Sequence, residues 1–261
     1  MIVFVSRIAK NRLALLGGGL ILFIIFLVII VPYAGLRDPN LINTSDRFKP
    51  PFSSGYILGA DHLGRDLLSR LLWGTRLSLA VGFAAAMIAT VVGTFIGILA
   101  GYFRGILDDL LMRSIDVLMA FPYVLLALAI VAVMGPGLFN SLIAVSIVNI
   151  PFFARNVRGM SLFYTNADFM KASMLSGRNT FSLILFELLP NLLPTIIVAF
   201  STTIGWMILE TAGLSFLGLG SQPPQADLGS MLGEGRSSLI IYSHNSLIPG
   251  AMILFIVEMV F

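Results

Sequence analysis

The feature that most constrains this chain is a run of 38 consecutive residues, 117–154, without one Asp, Glu, Lys or Arg. A helix crosses the hydrocarbon core of a bilayer in about 20 apolar residues. The run is too apolar for the surface of a soluble domain and too long for one crossing. Met134-Gly-Pro-Gly-Leu138 and Asn140 interrupt it, and Gly-Pro marks a turn. It is therefore read as two spans, about 117–134 and 140–154. Uncharged runs of 22, 27 and 22 residues at 13–34, 77–103 and 188–209 supply three more. A sixth apolar run begins near Leu247 and reaches Phe261, with Pro249 and Glu258 inside it. It is short for a crossing, so a sixth span cut off by the end of the sequence is expected.

Composition agrees. Only 29 of 261 residues are charged, 11%, against about 25% in an ordinary soluble domain. Hydrophobic residues make up 57%. This excludes an intrinsically disordered chain, and a net charge of +3 is too small for a nucleic-acid-binding face. Cysteine is absent, which excludes disulfides and thiolate metal sites. The first span is longer than the core of a signal peptide and lacks a small-residue cleavage site, so it reads as a retained anchor.

Arg7, Lys10 and Arg12 favour a cytoplasmic N-terminus. Five crossings then place 35–76, 135–139 and 210–246 outside, and 104–116 and 155–187 inside. Lys plus Arg number nine inside and seven outside, a weak bias inflated by the six in 35–76. That segment divides into an irregular part, 35–56, and an amphipathic stretch, 64–76. In the latter, Leu67, Leu68, Leu71 and Leu72 face one way and Arg65, Asp66, Ser69 and Arg70 the other. It is expected to lie in the membrane interface as an elbow, with Asp66 and Arg70 paired. Asp61, His62 and Asp66 could be taken for metal ligands. A single His beside Arg65 and Arg70 makes ion pairing the better reading.

Three further patterns matter. Gly93, Gly97 and Gly101, four apart in the second span, form a flat groove for close packing of another helix. Asp109, Arg113 and Asp116 share a helical face and can neutralise one another at the membrane edge. No deeper ionisable residue continues them into a proton relay. The segment 161–194 is neither a span nor a linker. Thr165-Asn-Ala-Asp168 reads as a capping box opening a helix over 168–178. Ala172, Ser173, Ser176 and Gly177 there put small side chains on one face, as a docking surface would, and Gly177 can end the helix. A second helix, 181–189, follows.

At this point the residues resemble a family. Asp168-Phe-Met-Lys-Ala-Ser-Met-Leu-Ser-Gly177, with Leu188-Leu-Pro190, resembles the Glu-Ala-Ala loop of ATP-binding-cassette importer permeases. The departures are Lys171-Ala-Ser173 for Glu-Ala-Ala and Arg178 for a small residue. Leu58-Gly-Ala-Asp-His-Leu-Gly-Arg-Asp-Leu-Leu-Ser-Arg70 is similar to a signature of the dipeptide, oligopeptide and nickel permeases. So are Ser215-Phe-Leu-Gly-Leu-Gly-Ser-Gln-Pro-Pro224 and Gly229-Ser-Met-Leu-Gly-Glu-Gly-Arg236.

The resemblance implies an all-α, six-span membrane bundle of the type I importer kind. Residues 1–76 would form a tail, first helix and external loop, and 77–261 the core permease domain, with its coupling loop at 161–190. It implies a multi-pass permease of the bacterial inner membrane that imports di- or oligopeptides, with nickel and glutathione permeases as alternatives. It implies four partners besides the lipid bilayer: a homologous second permease, two cytoplasmic ATPases and an external substrate-binding protein. ATP and Mg would reside in the ATPases, since this chain has no phosphate-binding Gly-x-x-x-x-Gly-Lys loop and is no enzyme itself. Asp168, Phe169, Met170, Lys171, Ala172, Ser173, Gly177 and Arg178 would form the coupling contact. Asn140, Asn149, Ser201, Thr202 and Thr203 are candidates for the translocation path, although such side chains often bond their own helix. An ion-coupled carrier would need deep ionisable groups, and only Glu210 and Glu258 approach that description.

Overall fold

The computed structural model describes residues 26, 29–33 and 35–260. Most of the first expected span and the basic tail lie outside the described residues. Nine α-helices are described: α1 Leu67–Phe103, α2 Gly105–Met119, α3 Tyr123–Met134, α4 Leu138–Thr165, α5 Asp168–Leu175, α6 Thr180–Leu183, α7 Leu189–Phe216, α8 Leu228–Gly235 and α9 His244–Val260. A π-helical stretch, Ile184–Leu188, joins α6 to α7 without a break. Among the described residues there are no strands, only isolated bridges such as Ser53 with Tyr56.

Among the described residues, three helices are long and apolar enough to cross a membrane: α1, α4 and the continuous Thr180–Phe216. The pair α2–α3 makes a fourth if it counts as one bent span, and α9 is a shorter apolar helix.

Several expected boundaries shift, each for a physical reason. Asp66 caps α1, its carboxylate accepting a hydrogen bond from the Ser69 amide at 2.9 Å. Residues 67–76 are therefore continuous with the second expected span, as the first turns of a 37-residue helix. The polar residues Arg65, Asp66, Ser69 and Arg70 are all buried, as are Leu67 and Leu71 on the other side. The expected pairing of Asp66 with Arg70 gives way to the cap, and Arg70 turns to Asp61 and Glu234 instead.

α1 ends where Arg104 and Gly105 both take positive φ, 56° and 61°. The expected kink at Pro122 is a full break. Pro122 has the extended ψ of 126° and α2 meets α3 at 90°. A proline removes a helical hydrogen bond and forces the residue before it out of the α region. Asp116, grouped with Asp109 and Arg113 by spacing, pairs with Arg155 of α4. α4 runs well past the expected end at residue 154 and carries Arg155 and Arg158 within it.

The chain forms two compact units. One comprises Met1–Gly82, Pro136–Leu138 and Ile208–Phe261; the other comprises Phe83–Gly135 and Phe139–Met207. In the first unit, α8 is capped by Asp227, which accepts from the Ser230 amide and from the Ser78 hydroxyl. Gly229 and Gly233 let α8 approach the backbone of α7 at Ala212 and Phe216.

Candidate coupling site and its supports

The segment 161–194 is built around one buried side chain. Met170, on the inner side of α5, has no exposed surface. It sits in a cluster with Ile98 of α1, Val157 of α4, Leu183, Leu188, and Leu192 and Ile196 of α7. Tyr164 packs against this cluster and meets the Phe169 ring edge-on at 6.3 Å. Burying a Met side chain contributes about 1.5–3 kcal/mol, so Met170, the one fully buried side chain of α5, is its chief anchor on the bundle. Met170 is therefore an anchor, unavailable to a docking partner.

The other residues of the segment divide clearly. Asp168, Phe169, Lys171, Ala172, Gly177 and Arg178 are exposed, and Ser173 is half-buried. Ser176 is exposed as well, so the small-residue face points outward apart from Ser173. The Lys171–Asp168 pair, at 3.7 Å and in solvent, contributes little. Arg178 pairs with Glu187 across the turn. Gly177 takes a φ of +77° and its amide donates to Met174 O, which ends the helix as expected.

The capping box does not form. α4 runs through Thr165, whose hydroxyl donates to Ser161 O, and Ala167 precedes the first residue of α5 without a side-chain cap. Asn179 is the residue that caps, accepting from the Ser182 amide at 2.8 Å.

Sequence reasoning missed two features here. Leu175 is 90% exposed at the end of α5, and Phe181 and Phe163 nearby are also exposed, so the outward face has an apolar rim. Arg104 donates to the Asn166 side chain at 2.9 Å, tying the α1–α2 joint to the residues just before α5. The two residues are 62 apart in the chain, and no spacing rule exposes the contact.

The glycines of α1 meet α4 backbone to backbone. A methyl group added at Gly93 would lie 2.5 Å from Phe153 Cβ, at Gly97 2.7 Å from Ala154 O, and at Gly101 2.5 Å from Ser161 Cβ. All three distances are below ordinary contact, so no other residue fits without a shift. Below this seam Arg158 grips the buried Asp108 with two hydrogen bonds of 2.6 and 2.7 Å, a bidentate geometry that fixes orientation as well as charge.

The path candidates spend their hydrogen bonds locally. Asn140 donates to Met134 O and Gly135 O, Asn149 to Val145 O, Ser201 to Ile197 O, and Thr202 and Thr203 to Ala199 O. Ser201 and Thr202 are exposed, Asn140 and Asn149 half-buried and Thr203 buried.

In the other unit a second charge cluster forms. Arg65 donates to Asp61 and to Glu234, both at 2.6 Å, and Arg70 reaches Glu234 at 3.1 Å. Asp61, His62 and Glu234 lie close enough to share a cation. Two guanidiniums already balance the two carboxylates, so the arrangement is an ion-pair network rather than a metal centre. Glu234 comes from the second signature motif and was not foreseen as the partner of the first.

Comparison with known proteins gives a consistent result. The family described as "Binding-protein-dependent transport system inner membrane component" matches residues 93–260. The "N-terminal TM domain of oligopeptide transport permease C" matches residues 3–51. The glutathione transport system permease protein of Pectobacterium atrosepticum is 39% identical over 96% of this chain and 83% of its own length. The dipeptide transport system permease protein of Haemophilus influenzae is 36% identical over 95% of this chain and 86% of its own. Among solved structures, the inward-facing methionine ABC transporter MetNI covers 73% of this chain and 91% of its own, with a TM-score of 0.61 at 19% identity. An amino acid ABC transporter solved with histidines covers 74% and 90%, with a TM-score of 0.57 at 18% identity. These two share the fold. Sequence motifs, helical architecture and family match agree, and the chain belongs to the inner membrane components of binding-protein-dependent transport systems.

Proposed function

We propose that this chain is one permease of an ATP-driven importer that carries di- and oligopeptides across the bacterial cytoplasmic membrane, its N-terminus on the cytoplasmic side. It works with a homologous second permease, two cytoplasmic ATPases that hold ATP and Mg, and an external binding protein. The observation that carries this reading is α5: a short exposed helix between two spans, with Met170 as its one fully buried side chain. ATP binding closes the ATPase pair and displaces the α5 surface formed by Asp168, Phe169, Lys171, Ala172, Ser173, Gly177 and Arg178. Met170 passes that displacement to Ile98, Val157 and Leu192, on three different helices. The driving energy is the difference in ATP affinity between the two states of the assembly.

Substrate class follows from the relatives. Those named for glutathione are 39% identical and the one named for dipeptides 36%. Glutathione is itself a short peptide, so it is the second substrate reading.

The test is Gly177→Val in the reconstituted importer. A β-branched residue resists the left-handed conformation at this position, so the helix end must rearrange. ATP-dependent uptake should fall at least tenfold while the chain still inserts and assembles, and Gly177→Asn, which tolerates positive φ, should retain most activity. Undiminished uptake by Gly177→Val, or uptake that follows the proton gradient after ATP depletion, would refute the reading. Competition of labelled dialanine uptake by glutathione separates the two substrates.

A further inference from the structure

We propose that the crook of the α2–α3 bend, closed by α4, is a low-affinity subsite for a short peptide. Arg155 receives the terminal carboxylate there and Asp116 the terminal ammonium. The proposal rests on the importer reading above and specifies where a peptide pauses on the cytoplasmic side of the path.

The bend borders an open cleft of about 870 Å³, within the range of small-molecule sites of roughly 300–1,000 Å³. Its walls are largely apolar and aromatic, including Phe121, Tyr123, Pro151 and Phe152, with Arg155 and Asn156 as the charged and amide groups. Gly159 adds room, since a side chain there would meet nothing within 4 Å. Such walls accept varied side chains. A dipeptide spans about 7 Å and fits the cavity.

The charge arrangement selects this occupant. Arg155 and Asp116 belong to different helices and pair at 2.5 Å, with 49% and 58% of their side chains still exposed. An exposed pair of this kind contributes about 0–1 kcal/mol, too little to brace the helices. Bracing is already done one turn away by Arg158 on buried Asp108. The outer pair is thus free to open, and it presents one positive and one negative group beside an apolar cavity. That is the complement of a zwitterion with a variable middle. When no peptide is present the two groups satisfy each other.

The chain contains no cysteine, so a single thiol reports on the cavity without background from this subunit. Asn156→Cys is placed in the complete importer, reconstituted without nucleotide, and its labelling by a fluorescent maleimide is followed by gel. Millimolar dialanine should slow labelling at least fivefold. N-acetyl-dialanine amide, which lacks both terminal charges, should leave it unchanged. Adding Arg155→Gln or Asp116→Asn should weaken dialanine protection at least tenfold. Equal protection by both compounds would overturn the proposal, because the cavity would then be only an apolar pocket. No protection by dialanine or glutathione would overturn it too. So would a thiol that reacts only in the isolated chain, since the second permease would then fill the crook. ATP-dependent peptide uptake by the Asn156→Cys importer is measured in parallel. Uptake without protection refutes the subsite alone, whereas loss of peptide uptake by the parent importer refutes the reading on which it rests.

Discussion

Shortening Met170 to Ala isolates the mechanical role of α5. The side chain is wholly buried among Ile98, Val157, Leu183, Leu188, Leu192 and Ile196. Met→Ala in such a site costs about 2–5 kcal/mol, from lost transfer energy and the cavity left behind. The spans hold the bundle together without it, so the cost falls on the attachment of α5. At about 1.4 kcal/mol per factor of ten, the population of detached α5 should rise by roughly thirty-fold to a few thousand-fold. The assay is hydrogen exchange in the detergent-solubilised importer. Amides that bond within 168–177, such as Ser176 to Ala172 O, should lose protection by that factor, while amides of α1 near Gly93 keep theirs. ATP hydrolysis should continue with much reduced uptake per ATP. Met170→Leu conserves volume and should cost under about 1.5 kcal/mol, leaving coupling near normal. Unchanged protection at 168–177 in Met170→Ala, or equal loss along α1, would refute the idea that Met170 is the chief anchor of α5.

Three other outcomes are expected. Gly97→Ala should destabilise the α1–α4 contact and lower the yield of folded protein, because the added methyl meets Ala154 O at 2.7 Å; Gly213→Ala, in open space, should be neutral or mildly stabilising by thermal unfolding. Glu234→Gln should cost about 3–5 kcal/mol, the penalty for breaking a buried ion pair, because Arg65 and Arg70 would be left sharing Asp61; limited proteolysis of 35–66 should then accelerate. In that same loop, Lys49 and then Tyr56 hold the Asp46 carboxyl below its ordinary 3.8, and burial together with Asp46 pushes the Tyr56 phenol above 10.0. The Asp46 contribution is present above pH 3.8 and lost as pH falls through its lowered value, and the Tyr56 contribution is present below pH 10.0 and lost as pH rises through its raised one; proteolytic protection of 35–66 should fall at both limits, and Asp46→Asn should flatten the acid limb.

The spans at 77–103 and 188–209 were legible because charge is excluded from lipid, and the glycine groove because spacing by four fixes a helical face. What spacing could not supply was the partner. Local spacing offered Arg65 and Arg70 the neighbouring acids, and Asp61 does take up that role, but their other partner, Glu234, lies 164 residues beyond Arg70. Met170 was grouped with the exposed docking residues for the same reason. Its burial is decided in part by Ile98, which comes from a distant part of the chain. The capping box failed because Thr165 was already committed to α4. Local chemistry proposes a helix start, and the preceding helix decides whether the residue is free to serve as one.

The right-angled break between α2 and α3 bears on water. A helix that stops leaves four carbonyls without partners, and one that starts leaves four amides; at membrane depth each must meet water or protein. The break borders a cleft lined by Leu118, Met119 and Phe121 from its own ends, and part of the need is met internally, as where Ala120 donates to Asp116 O and Leu126 to Pro122 O. Whatever fills the rest of the crook, water or protein, therefore has to bring hydrogen-bonding partners to a wall that is otherwise apolar.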